Sequence, residues 1–157
     1  MQLTRAADYG VRVMVALAGM PEGERVSLPE LTKATGAPES FLSKVLQRLA
    51  KAALIDSRRG QGGGFEIAPH GRTASMRQVI EAVDGPVALN VCLCEGKVCK
   101  RKAWCPSHPV WVRAQAAMLA VLESAQVQDL AEQGAVNEFT LVAKCCMAPA
   151  MTSPAAD

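Results

Sequence analysis

The chain has 157 residues, of which 50% are hydrophobic and 20% charged, with a formal net charge of +2. That apolar fraction can fill a core and excludes global disorder, and the length suits one domain, or one small domain with an extension used in assembly. No apolar run is long enough to span a bilayer, and MQLTRAADYG carries early charge without an A-x-A-like cleavage site, which argues against a secretory signal.

A cytoplasmic chain is therefore expected. Thiols stay reduced there, so the six cysteines are better read as metal ligands or redox groups than as a disulfide framework.

Thr4 is placed to cap a nearly all-apolar helix from Arg5 to Gly19, which stops at Gly19 and Pro21. Arg5, Asp8 and Arg12 interrupt its apolarity at i, i+3 and i+7, so they share one stripe. Ser27 as a cap and Pro29 in the first turn predict a second helix over Leu28 to Thr35. Gly36 supplies a sharp turn, and a third helix is predicted from about Pro38 to Ala52. Helix, short turn with glycine, helix is the helix-turn-helix pattern. In the third helix Phe41, Leu42, Val45, Leu46 and Leu49 recur at helical spacing and are expected to face the core. Ser40, Ser43, Lys44, Gln47 and Lys51 fall on the opposite side, with Arg48 at its border. Side chains of these types donate to phosphates and to base edges in the major groove.

Leu54 to Arg58 and Phe65 to Ala68 read as two short strands, joined by Arg59, Gly60, Gln61 and three glycines. A hairpin after a helix-turn-helix is a wing. Gly62 and Gly63 let its backbone approach a phosphate or the minor groove, while Arg58 and Arg59 supply charge. Between Lys44 and Arg77 seven basic residues face two acids, an excess that suits a polyanionic partner, here double-stranded DNA. The GQGGG run follows no strand–helix unit and lacks G-K-[ST], which sets aside a nucleotide-phosphate loop.

Ser75 to Val83 predicts a short amphipathic helix, broken at Asp84, Gly85 and Pro86. A long helix is expected from about Pro109 to Glu132, with Trp111, Ala114, Met118, Val121 and Ala125 forming a heptad-like seam. Beyond a complete winged module, such a helix is expected to pair with its copy. Two recognition helices one helical turn apart would then read a palindromic operator. The expected fold is mainly α with a small β wing. Its parts are a winged helix-turn-helix over 1–86, a cysteine-rich cluster-binding loop over 87–108, a dimerisation helix over 109–133 and a mobile tail over 134–157.

The run CLCEGKVCKRKAWCPSH puts Cys92, Cys94, Cys99, Cys105 and His108 on one short basic stretch, with Lys97, Lys100, Arg101 and Lys102 among them. Several thiolates on a loop suit an iron–sulfur cluster or zinc. Cys94, Cys99, Cys105 and His108 would make a zinc site, though no C-x-x-C pair is present. The same thiols without metal would suit a redox switch. Only two histidines exist, His70 and His108, and no Ser/His/Asp arrangement is visible, so no enzyme is expected. Cys145 and Cys146 receive no role.

At this point LTRAADYGVRVMVALA, LPELTKATGAPESFLSKVLQRLAKAALIDSRRGQGGGFEIA, VIEAVDGPVALNVC and CPSHPVW together resemble one family. It is the Rrf-two (Rrf2) family of bacterial winged-helix regulators, which includes the iron–sulfur regulators IscR, NsrR and RirA. The resemblance covers roughly residues 1–133. It implies a homodimeric transcription factor, a repressor or dual regulator, whose cluster occupancy sets operator affinity and senses nitric oxide, redox state or cluster supply.

It also implies three cysteine ligands and one ligand of another kind. Cys92, Cys99 and Cys105 match the three cysteines, and C-x-x-H-x-x-W around Cys105 fits the family. Six residues separate Cys92 from Cys99 where cluster-binding relatives often show five, and Cys94 competes for the first position. For the fourth ligand, Asp8 matches the aspartate that completes a four-iron site from the partner subunit in NsrR-like members. His108 matches the histidine of the two-iron IscR-like site. ADYGVR resembles the NsrR type, so 4Fe-4S with Asp8 is favoured over 2Fe-2S with His108.

Overall fold

The computed structural model describes residues 3–60, 62–94, 96–97 and 99–134. Cys145, Cys146 and the expected tail from residue 135 lie outside them. Helix α1 (Arg5–Ala18) starts where the Thr4 side chain accepts from the Ala7 amide. Helix α2 (Leu28–Thr35) starts with a reciprocal capping box, Ser27 accepting from the Glu30 amide and Glu30 from the Ser27 amide. Caps of this kind stabilise a helix start by about 1 kcal/mol. Gly36 closes α2 at φ 69, a left-handed turn that disfavours a Cβ. Helix α3 (Glu39–Lys51) follows at once, completing the predicted helix-turn-helix.

Strands β1 (Ile55–Arg58) and β2 (Gly64–Ile67) pair antiparallel, with Ile55 opposite Ile67 and Arg58 opposite Gly64. Val26 adds a bridge: its amide donates to Phe65 O at 2.8 Å, and the Phe65 amide donates to Val26 O at 2.9 Å. The wing is thereby fastened to the residue just before the Ser27 cap. A single turn, α4 (Pro69–Arg72), leads to α5 (Met76–Asp84), whose start carries a second capping box from Ser75 and Gln78.

The core gathers Val13, Met14 and Leu17 of α1, Leu42, Val45, Leu46 and Leu49 of α3, and Val79 and Val83 of α5. Phe41 departs from expectation. It is 39% exposed and packs edge-to-face on Tyr9 at the rim.

The single helix expected from Pro109 to Glu132 is two, α6 (His108–Ser124) and α7 (Val127–Gly134). The backbone is extended at Ala125 (φ −86, ψ 101). There the chain pairs with residues 74–76: the Met76 amide donates to Ala125 O at 2.7 Å and the Val127 amide to Ala74 O at 2.9 Å. These bonds satisfy groups that a continuous helix would have paired internally. Helix α7 then returns to the core with Val127 and Ala131 buried. Arg72 holds the corner, donating to Ala18 O at 3.0 Å, Met20 O at 3.1 Å and Gln128 Oε1 at 3.4 Å.

Helix α6 buries no residue fully. Met118, Leu119 and Leu122 pack on Ala7, Ile80 and Val87, which divides the expected seam. Val110, Ala114, Ala117 and Val121, four and three residues apart, form a separate exposed stripe beside exposed Trp111. No helix among the described residues is long and apolar enough to cross a membrane.

Candidate nucleic-acid interface and cysteine loop

Burial of Leu42, Val45, Leu46 and Leu49 fixes the roll of α3. Ser40, Lys44, Gln47 and Lys51 are consequently exposed, and Ser43 is half-buried. The wing presents Arg58, Arg59 and Gly62 to solvent. A Cβ at Gly63 would lie 2.4 Å from Arg58 O and 2.7 Å from Gly60 O, so only glycine lets this tip close. Helix and wing converge on an open cleft of about 340 Å³, whose lining includes Ser43, Gln47, Ser57, Arg58, Arg59 and Phe65. Hydroxyl, amide and guanidinium donors thus face one opening, an arrangement that accepts phosphate oxygens and base edges.

Arg48, expected at the border of this face, is exposed as well. Its Nη1 donates to Val83 O at 2.6 Å, drawing the guanidinium toward α5. Carbonyls at a helix C-terminus lack internal partners and carry the negative end of the dipole, so they attract such a cation.

Beyond α5 the chain turns at Gly85 into the cysteine loop. The Leu89 amide donates to Gln115 Oε1 at 3.0 Å, which fastens the loop to α6, and Val91–Leu93 form a short 3₁₀ turn. Sequence reasoning missed Gln115 as an anchor, because its partner is a backbone amide 26 residues away. Cys92, Cys94, Cys99 and Cys105 are all half-buried and carry free thiols. Cys94 donates to Asn90 O at 3.7 Å and lines a cleft of about 270 Å³ with Leu3, Thr4, Asp84 and Pro86.

The His108 amide donates to Cys105 O at 3.1 Å, which sets that cysteine one turn before α6. His108 Nδ1 is buried and has no hydrogen-bond partner among the described residues. Asp8 is exposed on α1, paired with Arg12 at 2.9 Å. Lys97, Lys100, Arg101 and Lys102 are exposed, with Arg101 over the ring of Trp104 at 6.0 Å.

Among the described residues, no three His, Cys, Asp or Glu side chains are close enough to hold a metal ion. One chain therefore does not bring Cys92, Cys99, Cys105 and Asp8 together. The donor chemistry still fits an iron–sulfur group: soft thiols on a loop, plus an imidazole nitrogen with no partner among the described residues. Ligands that stand apart without metal are ordinary where metal binding and loop folding are coupled.

A family profile described as "Rrf2: Iron-dependent Transcriptional regulator" matches residues 3–133. The chain belongs to the Rrf2 family. Two proteins of Mycobacterium tuberculosis, "Putative HTH-type transcriptional regulator Rv1287" of strain H37Rv and MT1325 of strain CDC 1551, are each 34% identical over 131 residues, covering 83% of this chain and 81% of theirs. The solved structure of CymR (YrzC), the global cysteine regulator of B. subtilis, has a TM-score of 0.70 at 24% identity, covering 85% of this chain and 98% of its own. That of T. potens IscR has a TM-score of 0.68 at 23% identity, covering 85% and 88%. These structures share the mainly helical winged fold. The Rrf2 protein described here is accordingly a DNA-binding transcriptional regulator and not an enzyme.

Proposed function

We propose that this Rrf2 regulator works as a homodimer on a palindromic operator, and that an iron–sulfur cluster on its cysteine loop sets operator affinity in response to nitric oxide, redox state or cluster supply. The observation that carries this reading is the set of free, half-buried thiols on one loop, together with the Nδ1 of His108 at the end of that loop, which has no partner among the described residues. Cys92, Cys99 and Cys105 are the thiolate ligands, with Cys94 the substitute for Cys92. When bound, the group supplies iron that reacts with nitric oxide or oxidants and joins the loop to its fourth ligand. The loop is held at Leu89 by Gln115 and at its far end by the start of α6, so the three cysteine ligands lie on a stretch anchored at both ends.

Two residues compete for the fourth position. Asp8 is exposed on α1 and would reach across the dimer, the four-iron arrangement. His108 is favoured by a specific observation, because its buried nitrogen has no partner among the described residues whereas Asp8 already has Arg12. The exposed stripe of Val110, Ala114, Ala117 and Val121 supports α6 as the dimer helix, since water-facing apolar stripes of this length mark interfaces. Ser40, Ser43, Lys44, Gln47 and Lys51 would enter the major groove. Arg58, Arg59, Gly62 and Gly63 would meet the flanking backbone or minor groove.

Anaerobic purification tests the reading. Wild-type protein should be coloured, with iron and acid-labile sulfide, and Cys105→Ser should lose both. Whichever of Asp8→Ala and His108→Ala bleaches faster in air names the fourth ligand. Stoichiometric zinc, or colourless protein with reversible thiol loss, would replace the cluster with a structural zinc site or a thiol switch.

A further inference from the structure

Three elements far apart in sequence meet at the C-terminal end of α5. Arg48 of α3 donates to Val83 O at 2.6 Å. The next residue, Asp84, accepts from the Thr4 amide at 3.2 Å and from the Thr4 hydroxyl at 2.7 Å. Thr4 Oγ1 itself caps α1 through the Ala7 amide at 3.3 Å. Nearby, Glu81 Oε1 accepts from Arg77 Nε at 3.2 Å and from the Val87 amide at 3.4 Å, which holds the first residues of the cysteine loop. The recognition helix, the first helix and the loop are thus each tied to residues 81–84.

Apolar packing at the same place leaves little slack. A Cβ on Gly10 would stand 2.9 Å from Val83 Cγ2, 3.7 Å from Val45 Cγ1 and 3.8 Å from Val79 Cγ1. Helices α1, α3 and α5 therefore approach without a flexible side chain between them, and close-packed interiors transmit displacement. Burial of Leu42, Val45, Leu46 and Leu49 sets the roll of α3 only as far as side-chain packing can. The directional bond from Arg48 to Val83 O constrains that roll, and Lys44 and Gln47 lie within a turn of Arg48.

We propose that Arg48 and Asp84 are positioning residues. They transmit the state of the cysteine loop, through the Val83–Asp84 end of α5, to the aim of the recognition helix and the start of α1. The proposal rests on the loop being the sensing site. When the loop start at Pro86 and Val87 shifts, Val83 O and the Asp84 carboxylate shift with it. Arg48 then rolls α3, while Asp84 pulls on the Thr4 cap.

Arg48→Met keeps the aliphatic stem and removes the donor. Operator affinity is measured for cluster-loaded and cluster-free forms of wild type and variant. In parallel, hydrogen exchange in α3 is followed before and after iodoacetamide alkylation of the cluster-free loop. Wild-type affinities should differ between forms by roughly 5–150-fold, the usual range of allosteric coupling, and those of the variant by no more than about twofold. Iron content and the thermal transition should be unchanged. Alkylation should alter α3 exchange in wild type and leave it unaltered in Arg48→Met.

An equal loss of affinity in both forms, with the ratio kept, would make Arg48 a direct DNA contact and overturn the proposal. An α3 response that persists in the variant, or is absent from wild type, would overturn it as well. Should wild-type forms bind operator equally, the sensing reading fails, while the alkylation arm still decides the coupling. If Arg48→Met does not fold, the exposed Asp84→Ala carries the same two measurements at the other tie, read in the exchange of the first turn of α1.

Discussion

Tyr9 and Phe41 meet edge-to-face, with ring centroids 5.7 Å apart and planes at 76°. The pair braces α1 against the first turn of the recognition helix, just beside Ser40 and Ser43. On α1, Arg12 adds a guanidinium 5.9 Å from the Tyr9 centroid while pairing with Asp8. An aromatic at the rim thus helps set where the side chains proposed to face DNA point.

Phe41→Ala should destabilise the fold by about 2 kcal/mol, since the ring pair adds roughly 0.5–1.5 kcal/mol to a partial burial term. Calorimetry should show a Tm lower by roughly 4–8 °C. A change within experimental error would mean that the pair holds nothing.

Two glycines should respond in opposite ways. A Cβ on Gly71 would lie 2.0 Å from Leu54 O and 3.1 Å from Ile67 Cγ1, where backbone must move. Gly71→Ala is expected to cost about 3 kcal/mol or more as overpacking, read from the urea midpoint. Gly19 ends α1 at φ −74, with only ordinary contacts near 3.6 Å. Gly19→Ala should fall within about 1 kcal/mol of wild type.

The two halves of the proposed DNA surface should separate by salt. Arg58→Ala with Arg59→Ala should lower the slope of log affinity against log salt by about 2, at roughly 0.9 per phosphate contact. Lys44→Ala with Gln47→Ala should instead cut discrimination between operator and random DNA, at about 1–3 kcal/mol for a good base contact. Identical salt and sequence profiles for both double variants would refute this division.

Val121→Asp puts a charge on the exposed α6 stripe without touching the buried core. Sedimentation should show a dimer for wild type and a monomer for the variant, and operator affinity should fall because the two half-sites would no longer be read together. A dimer that persists would place the interface elsewhere.

Local chemistry made much of this fold legible. The Ser27 and Ser75 capping boxes, the turn at Gly36 and the glycines of the wing act within a few residues of themselves, so the sequence carries them openly. The break at Ala125 does not show, because the segment ESAQVQ contains neither glycine nor proline. It arises from pairing with residues 74–76, a contact that periodicity cannot register. Arg48 is a similar case: its position on α3 is legible, but its partner Val83 O is not. The cysteine loop shows its candidate donors in the sequence, but whether they would assemble is not legible there, since ligands that close around a metal need not converge beforehand.

Operator titration of anaerobically prepared protein, assayed for iron and sulfide, then stripped and titrated again, tests the central claim most directly. The account predicts iron with acid-labile sulfide as isolated, and affinities that differ at least about fivefold between the two forms. Iron-free native protein, or equal affinities before and after stripping, would contradict it.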